Sequence, residues 1–202
     1  MTEAEAPQLY LIAPSGLTAA QLAPLLEAAL DRLPVACIRL SGAGDEAELG
    51  RICDAAREIA HARDIAVVIE DHVTLAQAHG LDGVHLTDGA RGVRAARKAL
   101  GADAIVGAFC GASRHDGMNA AEAGADYVSF GPVGETALGH GERAPLDLFE
   151  WWSEVIEVPI VAEGALDAAL LATLSPVTDF IALGPEVWGT ADPVAALAAL
   201  WD

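Results

Sequence analysis

The sequence predicts a compact (β/α)8 TIM barrel, folded as a single domain over residues 1–202. Eight short apolar runs alternate with eight longer segments rich in Ala and Leu, which is the order expected of a parallel sheet with helical crossovers. The 202 residues leave about 25 for each strand–helix unit, enough for a closed barrel with minimal loops. An open doubly wound sheet is the alternative, but it usually has fewer strands, and no G-x-G-x-x-G turn follows the first apolar run.

Each apolar run is short and mostly lacks polar alternation, which is typical of strands buried on both faces. The predicted strands span residues 9–13, 35–40, 65–69, 82–86, 104–109, 127–130, 158–162 and 179–183. The segments between them favour helices, and the first one begins at Thr18 with Gln21 three residues later, a capping-box pattern. The predicted helices span residues 18–30, 45–60, 73–79, 92–100, 116–123, 146–156, 167–174 and 193–200.

The charge balance excludes several classes of function. Asp and Glu total 30 against 11 Lys and Arg, a formal net charge of −19. Such a chain cannot neutralise a row of phosphates, so we expect neither a nucleic-acid partner nor a polybasic membrane surface. No apolar run reaches the length of a membrane span, and the N-terminus does not resemble a signal peptide. Three scattered cysteines favour a reducing, cytoplasmic location.

Polar side chains gather where the predicted strands end, which is where barrels of this kind carry their chemistry. Arg39 lies in the second run, Glu70 and Asp71 follow the third, and His85 and Asp88 accompany the fourth. The sequence therefore predicts a polar site for a small-molecule ligand at the carboxyl ends of the strands.

Several short sequence motifs, taken in their order and spacing along the chain, resemble those of one family. They are LYLI at 9–12, GVHL at 83–86, AEAGADYVSFGPV at 121–133, PIVA at 159–162 and DP at 192–193. Together they resemble thiamine phosphate synthases and the related thiazole tautomerases across nearly the whole chain. The phrase at 121–133 is the most specific of them, because apolar strands recur in any barrel.

The resemblance implies a transferase of thiamine biosynthesis that couples an aminopyrimidine pyrophosphate to a thiazole phosphate with the help of Mg²⁺. A pyrophosphate leaving group needs a metal, cationic side chains and backbone N–H groups to stabilise its charge. The site residues implied in this way are Asp71 and Asp88 as metal ligands, Arg39 and Thr136 as catalytic residues, and Arg39, Glu70, His85, Gly164 and Gly184 as substrate-binding residues.

The chain departs from the family pattern at the positions that handle phosphate. Ser41 and Gly139 stand where synthases carry lysines. Glu163 and Pro185 lie at the two backbone positions that would bind phosphate, with Glu186 beside the second. Proline removes an N–H donor, and a carboxylate repels an anion. The second hypothesis is therefore a catalytically degenerate barrel that binds or transforms a neutral or cationic small molecule.

Each candidate residue also has a structural interpretation. Asp71 can cap the third helix, and the Glu70 carboxylate can interact favourably with the dipole of that helix. Asp88 can be a loop or cap residue. His85 can be a structural histidine at the barrel rim. Arg39 either binds substrate or pairs with Glu70 or Asp71, since a buried arginine needs a partner.

Three further features have two interpretations. Cys110 is either a nucleophile or a packed thiol. The loop 134–145 is either a lid or a solvated connection. Of Trp151 and Trp152, one is expected in the core, and the other can cover a contact in a homo-oligomer.

Overall fold

The computed structural model describes residues 6–136 and 142–202 and confirms the closed barrel. Eight parallel strands are hydrogen-bonded in sequence order, and the last pairs with the first. The strands are β1 (Gln8–Ile12), β2 (Val35–Leu40), β3 (Ala66–Glu70), β4 (Gly83–Leu86), β5 (Ile105–Phe109), β6 (Tyr127–Phe130), β7 (Ile160–Glu163) and β8 (Phe180–Leu183). We use "the mouth" for the end of the barrel formed by the carboxyl ends of these strands.

The helices surround the barrel, and each follows one strand. They are α1 (Ala19–Arg32), α2 (Glu46–His61), α3 (Val73–Ala78), α4 (Val93–Leu100), α5 (Arg114–Ala123), α6 (Leu146–Val155), α7 (Ala168–Leu174) and α8 (Pro193–Trp201). Short 3-10 turns precede α4 and follow α7. At the start of α1, the Gln21 side chain accepts a hydrogen bond from the Thr18 N–H at 3.0 Å, as the capping pattern predicts.

The predicted strand bounds agree with the structure to within a residue or two. The prediction for β7 was wrong at its start, because the strand begins at Ile160 and not at residue 158. Pro159 has no N–H for the ladder. The Val158 carbonyl accepts a hydrogen bond of 2.8 Å from the Trp152 indole. The Val158 carbonyl is therefore diverted from strand pairing, and Pro159 contributes only its carbonyl, which accepts a hydrogen bond from the Val128 N–H at 3.0 Å.

Two apolar layers make up the core. The larger layer lies between the sheet and the surrounding helices and includes Trp152, which is fully buried, as predicted for one of the two tryptophans. Trp151 is half-buried, and the Arg114 guanidinium lies 4.7 Å from its ring centroid. The smaller layer fills the barrel interior with Tyr10, Cys37, Val68, Tyr127, Val161 and Ala182.

Three aspartates repeat one contact at the end of the barrel opposite the mouth. Each precedes an even-numbered strand, and its carboxylate accepts a hydrogen bond from a backbone N–H at the start of the preceding strand. The pairs are Asp82 with Val67 (2.7 Å), Asp126 with Val106 (2.6 Å) and Asp179 with Ile160 (2.8 Å). These contacts link neighbouring strands far from the mouth, where barrels carry stability and not chemistry.

The cysteines carry no disulfide in the described part of the chain. Cys37, Cys53 and Cys110 are free and buried. Among residues 6–136 and 142–202, no helix combines the length and the apolar character that a membrane crossing requires.

Candidate functional site

Arg39 occupies the centre of the polar network at the mouth. It lies in β2, and its residue surface is only 6% exposed. Its Nη1 donates to Glu163 Oε2 at 2.7 Å, and its Nη2 donates to Glu163 Oε1 at 3.4 Å. Its Nε lies 3.3 Å from Glu70 Oε1 without the alignment of a hydrogen bond. Two carboxylates therefore face one guanidinium.

The strand register of the barrel explains why Arg39 contacts both Glu70 and Glu163. Parallel strands place alternate side chains inward. Arg39 pairs with Val68 of β3, two residues before Glu70, while Glu70 pairs with His85 of β4. Glu163 ends β7 on the far side of the barrel. Because the barrel is closed, residues 124 apart in sequence come into contact across its interior.

A chain of hydrogen bonds continues from Arg39 into the barrel. Arg39 Nη1 lies 2.9 Å from His85 Nε2, and His85 Nδ1 lies 2.9 Å from the Tyr127 hydroxyl. The Tyr127 hydroxyl then lies 2.7 Å from that of Tyr10. Since arginine can only donate, His85 Nε2 accepts, and the His85 proton is on Nδ1, pointing to Tyr127. The network therefore fixes the His85 tautomer.

Burial sets the protonation states in this network. Burial, and then the charge of Arg39, hold the pKa of His85 well below its ordinary value of 6.5, so the ring is neutral. Burial is the largest influence on the pKa of Arg39 and lowers it, but the charges of Glu163, Tyr10 and Glu70 and the hydrogen bond to Glu163 together outweigh burial, so the net shift is upward. Burial raises the pKa of Tyr10 and Tyr127 well above 10.0 and that of Cys37 to about 12. The guanidinium is thus the charged member at the centre, and the phenols and the thiol stay protonated.

The two predicted metal ligands have other partners. Asp71 has a backbone φ of 56°, in the left-handed region, and accepts hydrogen bonds from the Thr87 N–H at 2.9 Å and from the Thr87 hydroxyl. Asp88 is exposed and pairs with Arg91 at 3.2 Å. The N-cap of α3 is His72, so the interpretation of Asp71 as that cap is wrong. Asp71 instead joins the loops after β3 and β4.

Among the residues that the structure describes, no three His, Cys, Asp or Glu side chains are grouped so that they could hold a metal ion. Both oxygens of Asp71 already accept hydrogen bonds from Thr87. Mg²⁺ needs near-octahedral oxygen ligands and is usually held by one or two carboxylates together with substrate phosphates. The described residues therefore do not supply a complete Mg²⁺ site by themselves.

The predicted phosphate-binding end contains a carboxylate of the chain itself. The Gly184 N–H donates to Glu186 Oε2 at 3.0 Å, and the Leu166 N–H donates to Glu186 Oε1 at 3.2 Å. The Gly164 carbonyl accepts hydrogen bonds from the N–H groups of Val133 and Gly134. The loops after β6 and β7 are thus joined through backbone groups, and the loops after β7 and β8 are joined through the Glu186 carboxylate.

Two of the remaining candidates, Asp88 and Cys110, line a cleft at the mouth. A cavity of about 830 Å³ opens between the loops after β4, β5 and β6, and its walls include Asp88, Phe109, Cys110 and Asp116. Burial raises the pKa of Cys110 to about 12, so its thiol stays protonated and is a poor nucleophile. Thr136 is half-buried at the edge of the described chain. The predicted lid 134–145 includes 137–141, which lie outside the described residues.

Sequence reasoning missed the tyrosines and Thr87. Tyr10 and Tyr127 appeared only as apolar members of predicted strands. The strand period of two could have indicated that Tyr127 faces the barrel interior, because it lies two residues from the inward Ser129. Ser129 is fully buried, and its hydroxyl has no hydrogen-bond partner in the described part of the chain.

Comparison with known proteins gives the family. Residues 9–184 match the family model described as thiamine monophosphate synthase. A thiamine-phosphate synthase of Rhodospirillum centenum is 42% identical over 196 residues, covering 95% of this chain and 94% of that protein. A thiamine-phosphate synthase of Erythrobacter litoralis is 38% identical over 207 residues, covering 98% and 96%.

A solved structure agrees with the fold. The thiamine phosphate pyrophosphorylase from Pyrococcus furiosus superposes with a TM-score of 0.80 at 24% identity, covering 96% of this chain and 93% of that one. The family model and both relatives span nearly the whole barrel. The chain therefore belongs to the thiamine monophosphate synthase family.

Proposed function

We propose that this chain uses the barrel mouth to bind a neutral or cationic small molecule and does not catalyse the pyrophosphate-releasing coupling. The observation that carries this proposal is the arrangement of Arg39 between Glu163 and Glu70. Two carboxylates against one guanidinium leave a local excess of negative charge. A substrate phosphate brought within ~4 Å of one of these carboxylates would meet a repulsion of about 4 kcal/mol at an effective dielectric of about 20.

The neighbouring groups support the same ligand class. Asp71 is exposed, and Asp88 and Asp116 line the cleft, while Arg91 is already paired with Asp88. A cleft with carboxylates and the aromatic Phe109 suits an organic cation better than a polyanion. Its volume of about 830 Å³ falls in the range of small-molecule sites.

The proposal is tested with two ligands that differ only in a phosphate group. Isothermal titration calorimetry would compare thiamine, an organic cation, with thiamine monophosphate on the wild-type protein. We expect thiamine to bind at least as tightly as its monophosphate. Clear preference for the monophosphate would contradict the proposal, because it would show that the mouth attracts phosphate.

A second candidate is the synthase activity itself. It is favoured by the relatives named thiamine-phosphate synthase, which match this chain at up to 42% identity along nearly all its length. Arg39, Asp71 and Thr136 would be its site residues, with His85 holding Arg39. For this candidate, Arg39 would have to exchange Glu163 for substrate, while each Asp71 oxygen would bind Mg²⁺ with the lone pair that Thr87 leaves free.

A further inference from the structure

We infer that Glu186 sets the ligand class of the mouth by occupying an anion site made of two backbone N–H groups. The groups belong to Leu166, in the loop after β7, and to Gly184, which follows β8. Each donates to a different oxygen of the same carboxylate, at 3.2 Å and 3.0 Å. The inference rests on the proposed function and names Glu186 as the residue that determines its ligand specificity.

The loop after β8 bends so that Glu186 faces back toward the sheet. The Val187 N–H donates to the Gly184 carbonyl at 2.9 Å, which closes a turn around Pro185 and Glu186. The Trp188 indole donates to the Ile12 carbonyl at 2.8 Å and holds the turn against β1. A Cβ at Gly184 would lie 2.0 Å from the Ile12 carbonyl oxygen, so only glycine fits there.

The loop after β7 supplies the second donor. Gly164 and Ala165 both have positive φ angles, 90° and 53°. Alanine rarely adopts this conformation. The two residues turn the chain so that the buried Leu166 presents its N–H to Glu186.

Two converging N–H groups from separate loops are an arrangement that binds oxyanions. Here the oxyanion is the chain's own carboxylate, held at an effective concentration that a free ligand cannot match. A phosphate or sulfate would have to displace Glu186 and then face its charge. The mouth therefore rejects phosphorylated ligands at this end and accepts ligands that lack an anionic group.

The test uses inorganic phosphate as the probe on the whole protein. Amide NMR titrations would follow Leu166 and Gly184 in the wild type, in Glu186→Ala and in Glu186→Gln. We expect Glu186→Ala to bind phosphate about ten- to a hundredfold more tightly than the wild type, because a charged hydrogen-bonded competitor is removed. Glu186→Gln should show an intermediate gain, since its amide oxygen still accepts one N–H. Glu154→Ala removes the same charge from an exposed position on α6 and should show no gain.

Equal phosphate affinity in the wild type and both Glu186 variants would overturn the inference and leave Glu186 as a link between two loops. Gained affinity with shifts away from Leu166 and Gly184 would also overturn it. If Glu186→Ala does not fold, the folded Glu186→Gln variant decides by itself. These results are separable from the proposed function, which concerns ligands of the wild-type protein and fails only if that protein prefers phosphorylated ones.

Discussion

At the scale of single residues, the buried network around Arg39 makes each polar group depend on the next. The Tyr127 hydroxyl accepts a hydrogen bond from His85 Nδ1–H and contacts Tyr10, whereas Tyr10 lies at the end of the chain of hydrogen bonds. A lost partner in the middle of the network therefore leaves more groups unsatisfied than a lost partner at its end. Unsatisfied buried polar groups destabilise the fold, so we expect the loss of the Tyr127 hydroxyl to destabilise it more than the loss of the Tyr10 hydroxyl.

Replacing Tyr127 with Phe should lower the free energy of unfolding by about 1–3 kcal/mol, because a buried His85 N–H loses its acceptor. Tyr10→Phe is the matched control and should cost about 0.5–1.5 kcal/mol, since Tyr127 keeps His85. Urea denaturation of the three proteins measures the difference. Equal losses, or a greater loss for Tyr10→Phe, would contradict the proposed order of the network.

The neutral state of His85 links stability to pH. The pKa of His85 is held well below 6.5 in the folded protein, so below that pH the unfolded chain binds a proton that the folded chain does not. Unfolding is then favoured as pH falls, and His85 should contribute a loss of about 1.4 kcal/mol per pH unit below pH ~6.5. This contribution is absent above that pH, where both states are neutral.

The measurement compares wild type with His85→Asn by urea denaturation at pH 7.5, 6.5 and 5.5. The remaining side chains are the same in both proteins, so their contributions cancel in the difference. We expect the stability advantage of the wild type to shrink as pH falls. A difference that does not change with pH would show that His85 titrates alike in the folded and unfolded states.

The sequence pointed to Arg39, Glu70, Asp71, His85 and Asp88 as polar strand-end residues, and the structure brings the first, second and fourth into one network. Their partners were harder to predict. Glu163 is 124 residues from Arg39, and no local pattern encodes a contact across a closed barrel. Their roles as substrate or metal ligands stay predictions.

At the scale of elements, the aspartates that precede β4, β6 and β8 hold neighbouring strands together. The Asp179 carboxylate accepts the Ile160 N–H at the start of β7. Asp179→Ala should lower the free energy of unfolding by about 1–3 kcal/mol, because that N–H loses its acceptor. Asp179→Asn should cost less, since its amide oxygen can still accept.

Thermal or urea unfolding of these two variants checks the prediction, with Asp103→Ala as the control at an exposed position before β5. If Asp179→Ala costs no more than Asp103→Ala, the repeated contact does not stabilise the barrel. The elements themselves were predictable because buried parallel strands leave an apolar signal every 25 residues or so. The bounds shifted where a proline or a side-chain hydrogen bond competed with the ladder, as at Pro159 and Val158.

At the scale of the whole molecule, family membership and site chemistry point in different directions. The barrel and its order of strands follow the thiamine monophosphate synthase family. At the mouth, the buried Arg39 guanidinium instead pairs with carboxylates. The Glu186 carboxylate accepts hydrogen bonds from the N–H groups of Leu166 and Gly184. Since one fold supports many chemistries through its loops, the family fixes the scaffold more firmly than the reaction.

A synthase assay on the purified wild-type protein tests the proposed ligand class of the mouth most directly. The aminopyrimidine pyrophosphate, the thiazole phosphate and Mg²⁺ are mixed with the protein, and thiamine phosphate is quantified over time. We expect no product above the uncatalysed background and no binding of either phosphorylated substrate by calorimetry. Thiamine phosphate formed at an enzymatic rate would contradict the proposed function.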